Sequence, residues 1–222
     1  MPRQDKFSDL LWNSISSVYD AILKHPFLSG LTSGKLRVDR FREYVIQDSL
    51  YLQDFSKTLK LLSLNAPKKS WEHKFARDSQ IAIEVERNLH EAFFRQWKLR
   101  VEDIMQKRKN PTNTAYTSYI LASAATRPFP EGVASVLPCY WIYLKVGQHL
   151  ESTGSPNSLY QKWIEMYSSE EYEKGVNEAL DIIDSIRLTS SDRDNCRERF
   201  KTAAIYELLF WDAAYRFEKW KY

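Results

Sequence analysis

Val133-Ala134-Ser135-Val136-Leu137-Pro138-Cys139-Tyr140-Trp141-Ile142-Tyr143-Leu144-Lys145-Val146 is the stretch whose reading decides the fold. It sits mid-chain, is apolar almost throughout and reads as a buried helix. Pro138 precedes Cys139, as a proline does at the first turn of a helix, where its missing N–H removes no bond. Cys139 and Tyr143 are four apart and so share a helical face. A thiol near a helix start meets orphan N–H groups and the positive end of the dipole, which lower its pKa. Two readings of Cys139 stand side by side: a small apolar core residue, since unpaired cysteine is among the most buried types, or an activated thiol.

Outward from this segment the chain is helical in pattern. Six glycines and eight prolines punctuate it, and no stretch alternates apolar and polar residues as a strand does. One helix is expected from about Lys6 to Lys24, ended by His25-Pro26, with loop or short turns over residues 27 to 37. Asp39 reads as the N-cap of the next, which carries Phe41, Tyr44, Val45, Asp48, Tyr51, Leu52 and Phe55 on one stripe and breaks at Ala66-Pro67. A long helix with a charged outer side follows from about Lys68 to Trp97, then a polar connection over Leu99 to Pro111. Thr112 to Thr126 forms another, with Tyr116, Tyr119 and Ile120 inward, before Arg127-Pro128-Phe129-Pro130 breaks the chain. The cysteine helix ends near Gly154-Ser155-Pro156. Tyr160 to Tyr167 is short, Ser168-Ser169-Glu170-Glu171 opens a helix to about Arg187, and Ser191-Asp192-Arg193-Asp194 opens a last one running almost to Tyr222. With no Gly/Ser linker, low-complexity tract or repeat, residues 1–222 read as a single all-α domain, a bundle of about seven or eight helices.

Composition narrows the function. In 222 residues with 43% apolar content, a sizeable core is available without staples. The charges nearly cancel at +3, and the clearest basic run, Lys107-Arg108-Lys109, is short and reads as a solvated loop, so no nucleic-acid surface is expected. Two cysteines are too few for a disulfide framework and fit a reducing compartment. Met1 to Asp9 is polar and no apolar run reaches membrane-spanning length, so a soluble, cytoplasmic protein is expected, with no membrane partner. No metal-type Cys/His spacing is present; Glu86 and His90, four apart, read better as a solvated face than as a metal pair. Glycine-rich phosphate motifs are absent, and the four histidines are scattered. Dense tyrosine and tryptophan (13 and 7 residues) suggest a pocket walled by rings that also carry polar tips.

Two carboxylates stand out because burying one is costly unless it is paired or shifted in pKa. Asp48 lies between Tyr44 and Tyr51 on an inward stripe, and Glu207 lies on a face with Phe210 and Trp211. Each has a plain structural alternative: Asp48 tied to an arginine or a tyrosine hydroxyl, Glu207 a partly exposed helix residue.

Five segments together resemble the TenA/THI-4 family: Phe41-Arg42-Glu43-Tyr44-Val45-Ile46-Gln47-Asp48-Ser49-Leu50-Tyr51-Leu52, Ala115-Tyr116-Thr117-Ser118-Tyr119, Leu137 to Tyr143, Trp163-Ile164-Glu165-Met166-Tyr167-Ser168-Ser169-Glu170, and Glu207-Leu208-Leu209-Phe210-Trp211-Asp212. They occur in the family's order and at similar spacing over nearly the whole chain. The resemblance implies a haem-oxygenase-like helical bundle without haem, usually a homotetramer. It implies aminopyrimidine aminohydrolase or thiaminase II activity in thiamin salvage, on a small aminopyrimidine substrate, with no metal or organic cofactor. Cys139 places the chain with the cysteine-bearing members. Carried over, Cys139 is the nucleophile and Glu207 the general acid/base. Asp48 holds the ring's nitrogen and amino edge, Tyr51 and Phe210 are stacking walls, and Tyr116, Tyr143 and Tyr167 make polar contacts near the cysteine and leaving group. Ser49 departs from the tyrosine many members have there, which alters the expected pocket wall. Two other classes remain as alternatives: a non-catalytic ligand-binding or regulatory member of the fold, and a metal- or haem-dependent oxygenase built on the same bundle.

Overall fold

Prolines and short polar side chains set the helix boundaries. The computed structural model describes residues 6–222, with the side chains of all of these except 85–92. Among the described residues there are eleven α-helices and no strand: α1 Phe7–Asn13, α2 Ser16–Leu23, α3 Pro26–Thr32, α4 Val38–Leu64, α5 Lys69–Gln96, α6 Val101–Met105, α7 Pro111–Thr126, α8 Phe129–Glu151, α9 Ser158–Ser168, α10 Glu170–Ser185 and α11 Ser190–Arg216. The all-α expectation holds. The Glu86/His90 pair lies outside the described side chains.

Several boundaries differ from the sequence expectation, each for a local reason. The first expected helix is two, broken at Ser14, whose hydroxyl donates to the Leu11 carbonyl at 2.6 Å and turns the chain before α2. His25-Pro26 starts a helix as well as ending one. Pro26 occupies the first turn of α3, and His25 Nδ1 accepts from the Phe27 N–H at 3.1 Å as a cap. Arg37, not Asp39, is the N-cap of α4; Asp39 sits in the first turn and is ion-paired to Arg37. The connection before α7 contains α6, and Tyr119 of α7 is half-buried while Tyr116 and Ile120 are fully buried. The last helix stops at Arg216 rather than near Tyr222, because Phe217 turns left-handed (φ 55°).

Pro138 is the main correction. It lies in the interior of α8, not in its first turn. There the ring removes one i→i−4 bond, leaving the Ala134 carbonyl without its helical donor, at a cost of about 3 kcal/mol in an isolated helix. Burial outweighs that cost: every side chain from Glu131 to Leu144 except Cys139 is buried.

The chain divides into two compact units, Met1–Lys35 with Pro130–Leu208, and Leu36–Phe129 with Leu209–Tyr222. In the first unit, α1 is fixed to α10 by Ser8, whose N–H and hydroxyl both donate to Asp184 at 2.8 Å. A ring series Trp12–Trp141–Phe200 joins α1, α8 and α11 at centroid distances of 4.7 and 6.2 Å. Arg199 Nε donates to the buried Glu131 carboxylate at 3.0 Å. In the second unit, α4 and α5 are clasped by Ser56 and Ser79, each hydroxyl donating to the other's carbonyl at 2.7 and 2.9 Å. A buried Lys74–Asp78 ion pair lies within α5.

Geometry requires glycine at two positions in and just after α8. Gly154 closes α8 in the left-handed region (φ 62°), donating to the Leu150 carbonyl at 2.8 Å. Gly147 lets α8 approach the end of α9: a Cβ there would stand 2.6 Å from the Tyr167 carbonyl carbon and 2.8 Å from the Ser168 nitrogen. Both neighbours are backbone, so the helices themselves would have to separate. Gly147→Ala is therefore expected to destabilise the protein by about 1–3 kcal/mol despite alanine's better helix propensity. Urea unfolding checks this, and a midpoint at or above that of the parent would refute the close approach.

Candidate functional site

In the first unit, α8 carries Cys139 and, one turn on, Tyr143. Tyr143 lies against Tyr167 and Trp163 of α9 at centroid distances of 4.8 and 6.0 Å. Tyr172 of α10 stands edge-on to Tyr167 at 5.1 Å and 89°, and its hydroxyl donates to the Cys139 carbonyl at 3.3 Å. Ser169 holds the start of α10 by accepting from the Tyr172 N–H at 3.2 Å. Thus three of the predicted residues, Cys139, Tyr143 and Tyr167, belong to one aromatic cluster. Because Pro138 is mid-helix, the expected activation of Cys139 by the positive end of its own helix falls away.

The two cysteines have different surroundings. Cys196 is 0% exposed, and burial, with the nearby charges of Glu131 and Asp192, pushes its thiol up to about 12. Cys139 is only half-buried. A thiol held protonated in the interior is inert, so Cys139 is the candidate nucleophile of the pair.

Glu207 of α11 also belongs to the first unit and is 2% exposed. The plain alternative for it, a partly exposed helix residue, is therefore excluded.

In the second unit, Asp48 sits near the middle of α4, 5% exposed, with Tyr44 one turn before it and Tyr51 one turn after. Both rings meet Phe210: Tyr44 at 6.0 Å and Tyr51 at 5.7 Å, each near edge-to-face. Tyr116 of α7 packs on Tyr51 at 5.1 Å. Asp48, Tyr51, Tyr116 and Phe210 are therefore one cluster: a carboxylate on a face lined by rings. Ser49, the departure from the family pattern, is buried, and its hydroxyl donates to the Val45 carbonyl of its own helix at 2.9 Å. A flat heterocycle with polar edges suits such a surface, the rings taking its faces and the carboxylate its N–H groups.

A sequence profile described as the TENA/THI-4/PQQC family matches residues 12–217. The chain belongs to that family. It is 32% identical over 217 residues to a protein named aminopyrimidine aminohydrolase from Bacillus subtilis (strain 168), covering 97% of this chain and 92% of that one. It is 33% identical over 215 residues to one of the same name from Helicobacter pylori, covering 94% and 98%. Among solved structures it resembles a TenA homologue from P. horikoshii OT3, with TM-score 0.90, 28% identity and 96% and 99% of the two chains covered. A domain described as having a heme oxygenase-like fold, from Shewanella denitrificans OS217, matches with TM-score 0.75 at 14% identity, covering 96% and 94%. The haem-oxygenase-like bundle expected from the motifs is thus the fold of this TENA/THI-4/PQQC family member.

Sequence reasoning on this family member missed Tyr172, Gln47 and Asn113. Tyr172 is the third residue of α10, and only its place against the Cys139 carbonyl marks it. Gln47 and Asn113 are buried polar side chains bonded to each other across α4 and α7; the one signal available was a glutamine and an asparagine on otherwise inward faces. Among the described residues no group of three or more His, Cys, Asp or Glu could hold a metal ion, and no helix is long and apolar enough to cross a membrane.

The contrast between the two thiols is testable. At pH 8 a thiol with a pKa of about 12 is roughly one part in 10⁴ thiolate. Iodoacetamide is expected to modify Cys139 in the folded protein and Cys196 only in denaturant, as read by peptide mass spectrometry. Modification of Cys196 under native conditions would overturn the assignment.

Proposed function

We propose that this protein is an aminopyrimidine aminohydrolase of the thiaminase II type, acting in thiamin salvage. The observation that carries the reading is likeness, over nearly the whole chain, to proteins named for that activity. A half-buried cysteine and two buried carboxylates supply the residue types that the chemistry needs.

The substrate is 4-amino-5-aminomethyl-2-methylpyrimidine, or thiamin itself, and the product is 4-amino-5-hydroxymethyl-2-methylpyrimidine. The Cys139 thiolate adds to the pyrimidine ring, forming a C–S bond and breaking aromaticity. Electrons pushed toward the exocyclic methylene break its C–N bond; from the aminomethylpyrimidine the amine leaves with a proton as ammonia, and from thiamin the thiazolium nitrogen takes the bonding pair and leaves as the neutral thiazole. Water adds to that methylene and loses a proton. The ring then expels the thiolate and recovers aromaticity. Glu207 moves the ring-nitrogen protons that these steps require. Asp48 fixes the ring by accepting from its N–H edge, Tyr51 and Phe210 stack on it, and Tyr116, Tyr143 and Tyr167 make polar contacts toward the leaving group. No step calls for a metal or organic cofactor. The reading includes a single domain over residues 1–222, a homotetramer and a soluble, cytoplasmic location.

The test is turnover of the aminomethylpyrimidine by the purified protein, followed as ammonia release. Cys139→Ser is expected to reduce kcat at least a thousandfold with an unchanged circular dichroism spectrum. Undiminished turnover in that variant would reject covalent catalysis. Asp48→Asn is expected to raise KM tenfold or more, because an amide presents an N–H where the ring also presents one. Unchanged affinity by calorimetry would remove Asp48 from ring binding.

A further inference from the structure

The residues after α11 are tied back onto the start of α7 within the second unit. The reversal is made by Phe217 in a left-handed conformation (φ 55°), a position where helices ordinarily place glycine. Its N–H donates to the Ala214 carbonyl at 3.3 Å and that of Glu218 to the Ala213 carbonyl at 2.8 Å, a Schellman pairing. A bulky residue stays in that conformation only where neighbouring contacts over-determine it. Here they do. Glu218 Oε2 accepts from the Thr112 N–H at 2.9 Å, placing a carboxylate on an orphan donor at the positive end of α7. Trp220 Nε1 donates to the Lys109 carbonyl at 2.9 Å, and Arg108 lies over the Trp220 ring at 4.3 Å.

What these contacts hold leads to the substrate-facing residues. Asn110 N–H donates to Gln47 Oε1 at 3.0 Å, and Asn113 Nδ2 donates to the Gln47 carbonyl at 2.8 Å and to its Oε1 at 3.0 Å. Gln47 is the residue before Asp48, and Tyr116, one turn beyond Asn113, packs on Tyr51. Lys109, whose backbone Trp220 grips, pairs through its ammonium with Asp54 of α4 and donates to Thr117 of α7 at 2.8 Å. Hydrogen bonds on the two sides of the Lys109–Asn110 peptide thus connect Trp220 to the Gln47 side chain, while Glu218 holds the same first turn of α7 at Thr112.

We propose that residues 217–222 form a strap whose Glu218 and Trp220 are positioning residues, holding the first turn of α7 so that Gln47 and Asn113 set Asp48 and Tyr116 for the pyrimidine ring. The strap touches no reacting atom. It rests on the aminohydrolase reading above, and it fixes binding geometry rather than chemistry, so its loss raises KM and spares kcat.

The experiment compares the parent with Glu218→Ala/Trp220→Ala and with Glu218→Gln, which keeps a carbonyl oxygen for Thr112. Each is assayed on the aminomethylpyrimidine and followed by hydrogen exchange over residues 110–117. The double variant is expected to raise KM at least fivefold with kcat within twofold, and to speed exchange at residues 110–117 tenfold with α8 unchanged. Glu218→Gln is expected to stay within twofold of the parent in all three. A variant that is merely less folded loses kcat and exchange protection everywhere while keeping its KM, and that result would overturn the proposal. So would faster local exchange with an unaltered KM, or no change in exchange at all. A parent that does not turn over the pyrimidine would instead end the functional reading, and the positioning role with it, while the exchange data alone decide the mechanical link.

Discussion

The constraint on which the rest depends is the burial of ionisable carboxylates in the interior. Asp48 and Glu207 both lie in the interior, at positions where leucine or phenylalanine would bury more apolar surface with no desolvation cost. A chain with 43% apolar residues had such residues to spend there. Both acids are mounted well inside 27-residue helices, α4 and α11, where backbone hydrogen bonds and packing leave little freedom to swing the carboxyl toward water. A rigid mount holds each carboxyl in one orientation.

The cysteine side of the molecule follows the same logic with different parts. α8 keeps a proline in its interior, immediately before Cys139, at the expense of one backbone bond. The Cys139 carbonyl then takes a hydroxyl hydrogen bond from Tyr172, and the Tyr172 ring braces Tyr167, which braces Tyr143. Gly147 permits this arrangement by letting the backbone at Tyr167 come against α8. The thiol is therefore carried on a segment fixed by rings and backbone contacts, while the chain's other thiol is sealed in the core and held protonated.

Helical periodicity encodes most of the architecture. The stripe from Phe41 to Phe55, the stops at Pro67 and Gly154, and the long charged helix after Lys68 all reappear as α4, α5 and the end of α8. Five short motifs in a fixed order pointed to the family and named Cys139, Asp48 and Glu207, because a thiol or a carboxylate on an apolar stripe is visible as a break in the pattern. What periodicity could not supply was the break at Ser14, the helix beginning at Pro26, the interior place of Pro138 and the left-handed turn at Phe217. In each case a hydrogen bond or a packing contact overrides a local preference.

The sequence by itself, then, determined the helices, the family and the kinds of reactive group, since these depend on residue identity and on spacings of three and four along one chain. Only the tertiary structure decided that Tyr172 grips the Cys139 carbonyl, that Gln47 and Asn113 pair across α4 and α7, and that Glu218 caps a helix beginning more than a hundred residues earlier. Those contacts join residues far apart in the chain, and their geometry is fixed by the packing of whole helices, which no local pattern encodes.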